Sequence, residues 1–216
     1  MPQLHTSVLI RYATYTDTPR VAKTLVEAFL DAPEATWLIP DPVARRQVFQ
    51  RFCPALIDYG LRQGSIYLTE DYSAVAVWRP CSLILPNPVE YEQLLDDTCG
   101  EYAYRFRLLD NALAERHPVG EHHYLAYLGV APHRQGYGLG TALLTHRHAI
   151  FDTTGSAAYV VASSPGARDL YARLGYQLTA TAPFHLPDGG PLLWPMWRQP
   201  QGVRRRYGTG NAGRYG

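Results

Sequence analysis

The stretch Leu128-Gly-Val-Ala-Pro-His-Arg-Gln-Gly-Tyr-Gly-Leu-Gly-Thr141 decides how this chain is read. It runs from the apolar end of a strand, through a turn holding alternate glycines, into an apolar helix. Gly136, Gly138 and Gly140 lack Cβ atoms, so successive backbone N–H groups can point into one concavity. The helix behind adds the positive end of its dipole, and the two together make an anion site suited to a phosphate. A dinucleotide fingerprint needs G-x-G-x-x-G, but Thr141 stands where the third glycine belongs. A nucleotide P-loop needs Gly-Lys-Ser/Thr, which this sequence lacks.

Working outward, Tyr124 to Val130 reads as a strand, and the glycine-punctuated helix runs from about Gly138 to Phe151, ending before Gly155. Period-two alternation over Glu121 to Val130 puts His122, Tyr124, Ala126 and Leu128 on one face, with His123, Leu125 and Tyr127 on the other. Ala157 to Ala162 follows as a strand, Ala167 to Leu174 as a short helix, and Tyr176 to Thr181 and Leu192 to Trp197 as strands. Alternating strands and helices predict a sheet with crossover helices.

Upstream, Ser7 to Ala13 reads as a first strand. A helix capped by Thr16 or Asp17 follows, with Pro19 in its first turn and Val21, Leu25, Ala28 and Phe29 at helical spacing, ending at Pro33. Val43 to Leu61 repeats Val48, Phe52, Leu56 and Tyr59 on one helical face, with a kink expected at Pro54 and a stop at Gly64. Ser65 to Thr69 and Ser73 to Trp78 make a hairpin about the Glu70-Asp-Tyr72 turn. Pro80 to Pro88, with its prolines, reads as loop, and Val89 to Arg116 as one helix or two.

The chain has 216 residues, 46% hydrophobic and 18% charged, inside the globular range. A chain of that length buries roughly 70% of its unfolded surface and needs no metal or disulfide staple. Net charge is +1, but the last arginines all follow Asp188, so up to that residue 19 acidic groups face 15 basic ones. That balance lacks the basic face a nucleic-acid binder needs. Cys53, Cys81 and Cys99 form no C-x-x-C pair, which predicts a reducing, cytoplasmic setting. No basic-then-apolar leader and no apolar run of roughly 20 residues is present, so neither export nor a membrane span is expected. Residues 1–198 read as a single domain, and 199–216 as a Gly/Arg-rich tail that should be poorly ordered.

Gln135-x-x-Gly138-x-Gly140, preceded by Val130-x-Pro132, resembles the pyrophosphate-binding signature of the GNAT superfamily of acyl-CoA N-acyltransferases. Tyr159-Val-Val-Ala-Ser-Ser-Pro-Gly-Ala-Arg-Asp-Leu-Tyr-Ala-Arg-Leu-Gly-Tyr176 resembles the family's later strand, helix and Tyr-x-x-x-Gly-Phe/Tyr turn. Ala74-Val-Ala-Val-Trp78, Leu128-Gly-Val130, Leu170-Tyr171 and Arg173-Leu-Gly175 are similar to an antibiotic-modifying branch of that superfamily, over about residues 8–198. The resemblance implies an α/β (α+β) GNAT fold, a mixed and mostly antiparallel sheet of about seven strands flanked by helices. It also implies acetyl-CoA as acyl donor, with no metal. Its cofactor positions fall on Leu128, Gly129, Val130, Arg134, Gln135, Gly136, Tyr137, Gly138, Leu139, Gly140 and Thr141, and its general-acid position on Tyr171.

Acyl transfer from a thioester to an amine needs a free amine, a stabilised oxyanion and a proton for the leaving thiolate. An alkyl ammonium with a pKa of about 10.4 must first lose a proton. Aligned on Leu128-Gly-Val130, the family's base position falls on Tyr124, a poor base, which leaves His122 or Glu121 acting through water. The backbone N–H of Val130 is the expected oxyanion donor. Phe29, Trp37, Trp78 and Tyr91 are aromatic candidates for the acceptor pocket. His146-x-His148 does not make a metal pair, because helix positions two apart face different ways. No cysteine sits in a strand-to-helix turn with a partner histidine, so an acyl-cysteine route is not expected, and Arg204 to Arg206 read as solvated tail.

The expected function is acetyl transfer from acetyl-CoA to the amine of a small molecule, such as an antibiotic, by direct attack in a ternary complex. Neither nucleic acid nor membrane is an expected partner, and monomer and homodimer both stay open. The alternatives are a protein or peptide N-acetyltransferase, and a non-catalytic CoA-binding regulatory module.

Overall fold

The computed structural model describes residues 8–81 and 89–202, and two strands with apolar side chains on both faces set its centre. In β2 (Ser65–Thr69), Ile66 and Leu68 enter one apolar cluster and Tyr67 the other. In β3 (Ala74–Cys81), Val75 and Val77 enter the first, while Ala74, Ala76 and Trp78 enter the second. A sheet buried on both faces must be covered by helices on both.

Among the described residues the sheet has eight strands in the order β1-β2-β3-β4-β5-β8-β6, with β7 also against β8. The others are β1 (Ile10–Tyr12), β4 (His122–Val130), β5 (Ala158–Ala162), β6 (Gln177–Leu178), β7 (Phe184–His185) and β8 (Leu192–Arg198). Only β4 and β5 pair in parallel. One face carries α1 (Thr18–Phe29), α2 (Pro33–Leu38), α3 (Pro42–Gln63), α4 (Val89–Cys99) and α5 (Ala103–Ala114). The other carries α6 (Leu139–Thr154) and α7 (Pro165–Arg173). Phe151 of α6, fully buried edge-on to Trp78 at 5.1 Å, anchors the second face and contributes about 2–3 kcal/mol by burial. No helix among the described residues is long and apolar enough to cross a membrane.

The mixed sheet agrees with the expectation, and several local readings change. Pro33 opens α2 and does not end the helical region, as its fixed φ suits a first turn. Pro80 continues β3 opposite His123. β2 begins at Ser65, paired with Trp78, so β3 has no β2 neighbour at Pro80 and tolerates the missing N–H there. Asp17 makes no side-chain cap for α1. It accepts bonds from the Thr14 backbone and from both ends of the Arg11 guanidinium. β1 is shorter than the run from Ser7, and β7 was not anticipated. Val89 to Arg116 resolves into α4 and α5. The expected loop at 82–88, the start at Ser7 and the tail from 203 lie outside the described residues.

Candidate active site

β4 has one residue more than β3 can pair. Val77 lies opposite Tyr127 and Trp78 opposite Leu125, so Ala126 forms a bulge. The bulge exchanges the faces of the strand: Leu125 and Leu128 both pack toward α6, and strict alternation from Glu121 to Val130 fails at Ala126. Tyr124 and Leu128 therefore do not share a face.

β4 pairs with β5 only from His123 to Leu125. Beyond that point the two parallel strands part, and a cleft of ≈ 1220 Å³ opens, lined by Ala126, Leu128 and Val130 on one side and Val160, Val161 and Ser163 on the other. The Ala131 N–H donates to the Ser73 carbonyl at 2.8 Å. N–H directions alternate along an extended strand, so the Val130 and Leu128 N–H groups point the other way, into the gap. The Val130 carbonyl, on that same side, accepts from Gln135 Nε2 at 3.2 Å.

One end of the cleft is the glycine turn. Gly136 and Gly138 have φ of 81° and 78°, and a Cβ at either would meet nothing within 4 Å. The backbone favours glycine at both, and the space beside them is open. Gly140 is different: its Cβ would make ordinary contacts at 3.6–3.8 Å with Leu128, Val130 and Leu170. No side chain caps α6 at Gly138. The first N–H groups of the helix, at Leu139, Gly140 and Thr141, thus face the cleft without intrahelical partners. Arg134 borders the turn, its Nη2 3.2 Å from Asp71 Oδ2 and its buried Nε without a partner. These donors fit a pyrophosphate, and the free β4 edge fits an extended chain bearing amides.

The other end is aromatic and acidic, walled by Phe29, Phe52, Tyr59, Tyr91, Phe106 and Tyr127, with Glu34 and Asp110 among them. α2 carries Glu34 and is held at both ends by buried Arg45. This side chain donates from Nε to the Leu30 carbonyl and from Nη1 to the Ile39 carbonyl, each at 2.7 Å. Trp37 Nε1 donates to the Pro187 carbonyl at 2.9 Å and secures the same helix. Burial pushes the Glu34 carboxyl above its usual range, against hydrogen bonds from its own backbone and from Ser163. Its Oε2 is buried without a hydrogen-bond partner.

Tyr171 sits on α7, which Ser164 caps by accepting from the Ala167 N–H at 3.1 Å. Burial raises the Tyr171 hydroxyl far above its ordinary pKa, and the neighbouring Tyr124 and Glu34 charges raise it further. Burial likewise pushes the Tyr124 hydroxyl up to about 12.

Of the residues expected at the cofactor, Leu128, Val130, Arg134, Gln135, Gly136, Gly138, Leu139, Gly140 and Thr141 line the cleft. Gly129 faces α1, where a Cβ would sit 2.9 Å from Leu25 Cδ2, so it serves helix–sheet packing. Tyr137 points outward and is 74% exposed. Tyr171 and Tyr124 line the cleft, but Glu121 and His122 do not. They lie just before His123, where the β4–β5 pairing begins; Glu121 is exposed, and His122 is buried with Nδ1 on the Gly120 carbonyl at 2.8 Å.

Phe29 and Tyr91 line the acceptor end, whereas Trp78 belongs to the core beside Phe151 and Trp37 to the packing of α2. The reading missed Glu34, Asp110, Arg79 and His117, all on the cleft wall. Burial pulls the His117 pKa down to about 4. No spacing along the chain marks these residues, because the segments holding them meet only in the folded molecule.

Residues 101–178 match the family model described as acetyltransferase (GNAT) domain. Among solved structures, a Corynebacterium glutamicum protein described as histone acetyltransferase HPA2 and related acetyltransferase is similar at 27% identity. The match covers 92% of this chain and 99% of that one, with a TM-score of 0.67. Aedes aegypti arylalkylamine N-acetyltransferase 2 shares the fold at 15% identity, covering 90% and 99% of the two chains with a TM-score of 0.59. Drosophila melanogaster polyamine N-acetyltransferase does so at 15% identity, covering 89% and 99% with a TM-score of 0.55. The chain thus has the GNAT fold, carries a GNAT acetyltransferase domain over residues 101–178, and is an acyltransferase.

Proposed function

We propose that this protein transfers the acetyl group of acetyl-CoA to the amine of a small molecule bearing an aromatic group, by direct attack in a ternary complex. One observation carries the reading: a single cleft joins the glycine turn of α6, across the β4–β5 gap, to Tyr171, Glu34 and an aromatic pocket. The turn and the first N–H groups of α6 hold the pyrophosphate, and the free edge of β4 holds the pantetheine amides. Acetyl-CoA supplies a thioester, which an amine can attack once it is neutral.

Glu34 takes the place expected of His122, Glu121 or Tyr124. A carboxylate with one unpartnered oxygen and a raised pKa attracts the acceptor's ammonium and removes its proton, directly or through water. The Val130 N–H stabilises the oxygen that becomes negative as the C–N bond forms. Tyr171, kept protonated by burial, gives its proton to the sulfur as the C–S bond breaks, and the proton held on Glu34 is available to restore it.

The aromatic wall supports an arylalkyl or aminonucleoside acceptor over a thin polyamine. The Aedes neighbour is named for arylalkylamines, and the residues that resemble puromycin N-acetyltransferase over about 8–198 are a reason to include antibiotic amines among the acceptors tested. Cys53, Cys81 and Cys99 are free thiols, which supports a reducing cytoplasmic setting.

The test is release of free CoA thiol from acetyl-CoA in the presence of arylalkylamines, aminonucleosides, polyamines and amino acids. Turnover is expected with the first two. Turnover confined to polyamines or amino acids overturns the acceptor class, and CoA binding with no turnover on any amine overturns direct transfer to small amines.

A further inference from the structure

We infer that Cys81, His117 and His122 form a site for a borderline-soft divalent transition-metal ion, such as Zn²⁺, in the wall of the acceptor end of the cleft. One ligand atom from each lies within 4.8 Å of the other two. Three segments converge to place them. Cys81 ends β3 and lies directly opposite His122 at the start of β4. His117 arrives from the turn that follows α5, held by its N–H on the Ala114 carbonyl at 3.2 Å.

The tautomer of His122 is already set for coordination. Its Nδ1 is 2.8 Å from the Gly120 carbonyl, which can only accept, so Nδ1 carries the proton and Nε2 presents its lone pair. A backbone carbonyl orienting a ring in this way is the usual outer support of a metal-bound histidine. His122 Nε2 and His117 Nε2 face each other at 3.0 Å. Zinc–nitrogen bonds of about 2.0–2.1 Å in tetrahedral geometry place two nitrogens about 3.3 Å apart. The His117 turn therefore has to give only a few tenths of an ångström.

Without an ion, the His117 Nε2–H donates to His122. On loading, that proton moves to His117 Nδ1 and the Cys81 thiol proton is released, so each ion bound expels one proton. Tyr159 and Trp197 rings flank His122, with centroids at 5.8 and 5.2 Å, and supply an apolar shell. Cys81 and His117 line the cleft, so a fourth position opens there to water or to a ligand. Three protein ligands and one open position make an exchangeable site, unlike a closed structural one. An ion bound there narrows the acceptor end and leaves the glycine turn untouched.

The experiment is titration of the chelator-treated full chain with Co²⁺. A near-ultraviolet thiolate-to-cobalt band should saturate at one ion per chain and be displaced by Zn²⁺. Cys81→Ser should abolish the band, while Cys53→Ser and Cys99→Ser keep it. His117→Gln should weaken affinity at least tenfold. A band that survives in Cys81→Ser, unchanged affinity in His117→Gln, or no saturable band in the wild type each overturns the site. Circular dichroism of the metal-free variants verifies their fold, and none of these readouts requires acetyl transfer.

Discussion

Arg198 and Asp152 form a two-bond guanidinium–carboxylate pair, with Nη1 to Oδ1 and Nη2 to Oδ2 both at 2.8 Å. Arg198 ends β8 and is 3% exposed, while Asp152 stands in the last turn of α6. An acid at a helix C-terminus opposes the helix dipole, so the pair accounts for its presence there. It fixes one end of the helix whose other end is the glycine turn.

Asp152→Asn should leave the Arg198 charge buried and half-partnered, lowering stability by about 2–3 kcal/mol at neutral pH. The Arg198 hydrogen bonds foremost hold the Asp152 carboxyl below its usual range, against the opposing effect of burial. A depressed folded pKa means that the contribution is complete above the unfolded value of about 3.9 and is lost as pH falls through the folded one. Urea unfolding of both proteins should show a gap that is constant from pH 7 to 5 and narrows below about pH 4. A gap independent of pH rules the pair out as its source.

Gly138→Asp should abolish CoA binding and leave the fold standing. The left-handed φ of 78° costs a side chain about 1–2 kcal/mol, and the new carboxylate lies beside N–H groups needed by an anion. Gly140→Ala, in ordinary helical backbone with ordinary contacts, should fold as well as the wild type. Calorimetry with CoA checks the first and thermal unfolding the second; wild-type affinity in Gly138→Asp would remove the turn from the cofactor site.

Tyr171→Phe keeps the ring and deletes the proton donor. The acetyl-CoA dissociation constant should stay within about twofold while kcat falls by roughly 10²-fold. If turnover is preserved, Tyr171 is a packing residue.

Glu34→Gln should lower kcat/KM by roughly 10²-fold and erase the rising limb of its pH profile, with CoA affinity unmoved. In the wild type that limb should lie above the ordinary glutamate value of about 4.3, because burial raises the carboxyl. His122→Ala, behind the cleft lining and not on it, should retain the limb. If His122→Ala removes it and Glu34→Gln does not, the base lies on β4 after all.

The parts legible in the sequence are those whose cause lies within a few neighbouring residues. The helical spacing of Val48, Phe52, Leu56 and Tyr59 marks α3, and Gly64 ends it, because helical period and helix termination act over a few residues. Gly136 and Gly138 announce the phosphate turn for the same reason, since their left-handed φ values favour glycine. Period and composition likewise mark β2, β3 and α6.

Only the tertiary structure decides which face of β4 meets the cleft, because the Ala126 bulge is a mismatch between two strands and leaves no trace in either alone. Trp37 and Trp78 suit a pocket as well as a core by composition, and packing against Pro187 and Phe151 assigns them to the interior. Glu34 joins Ser163 and Tyr171 only after Arg45 has pinned α2 over the parted strands. Local backbone preference is written in adjacent residues, whereas a reaction site depends on which distant side chains the folded sheet brings within reach of one another.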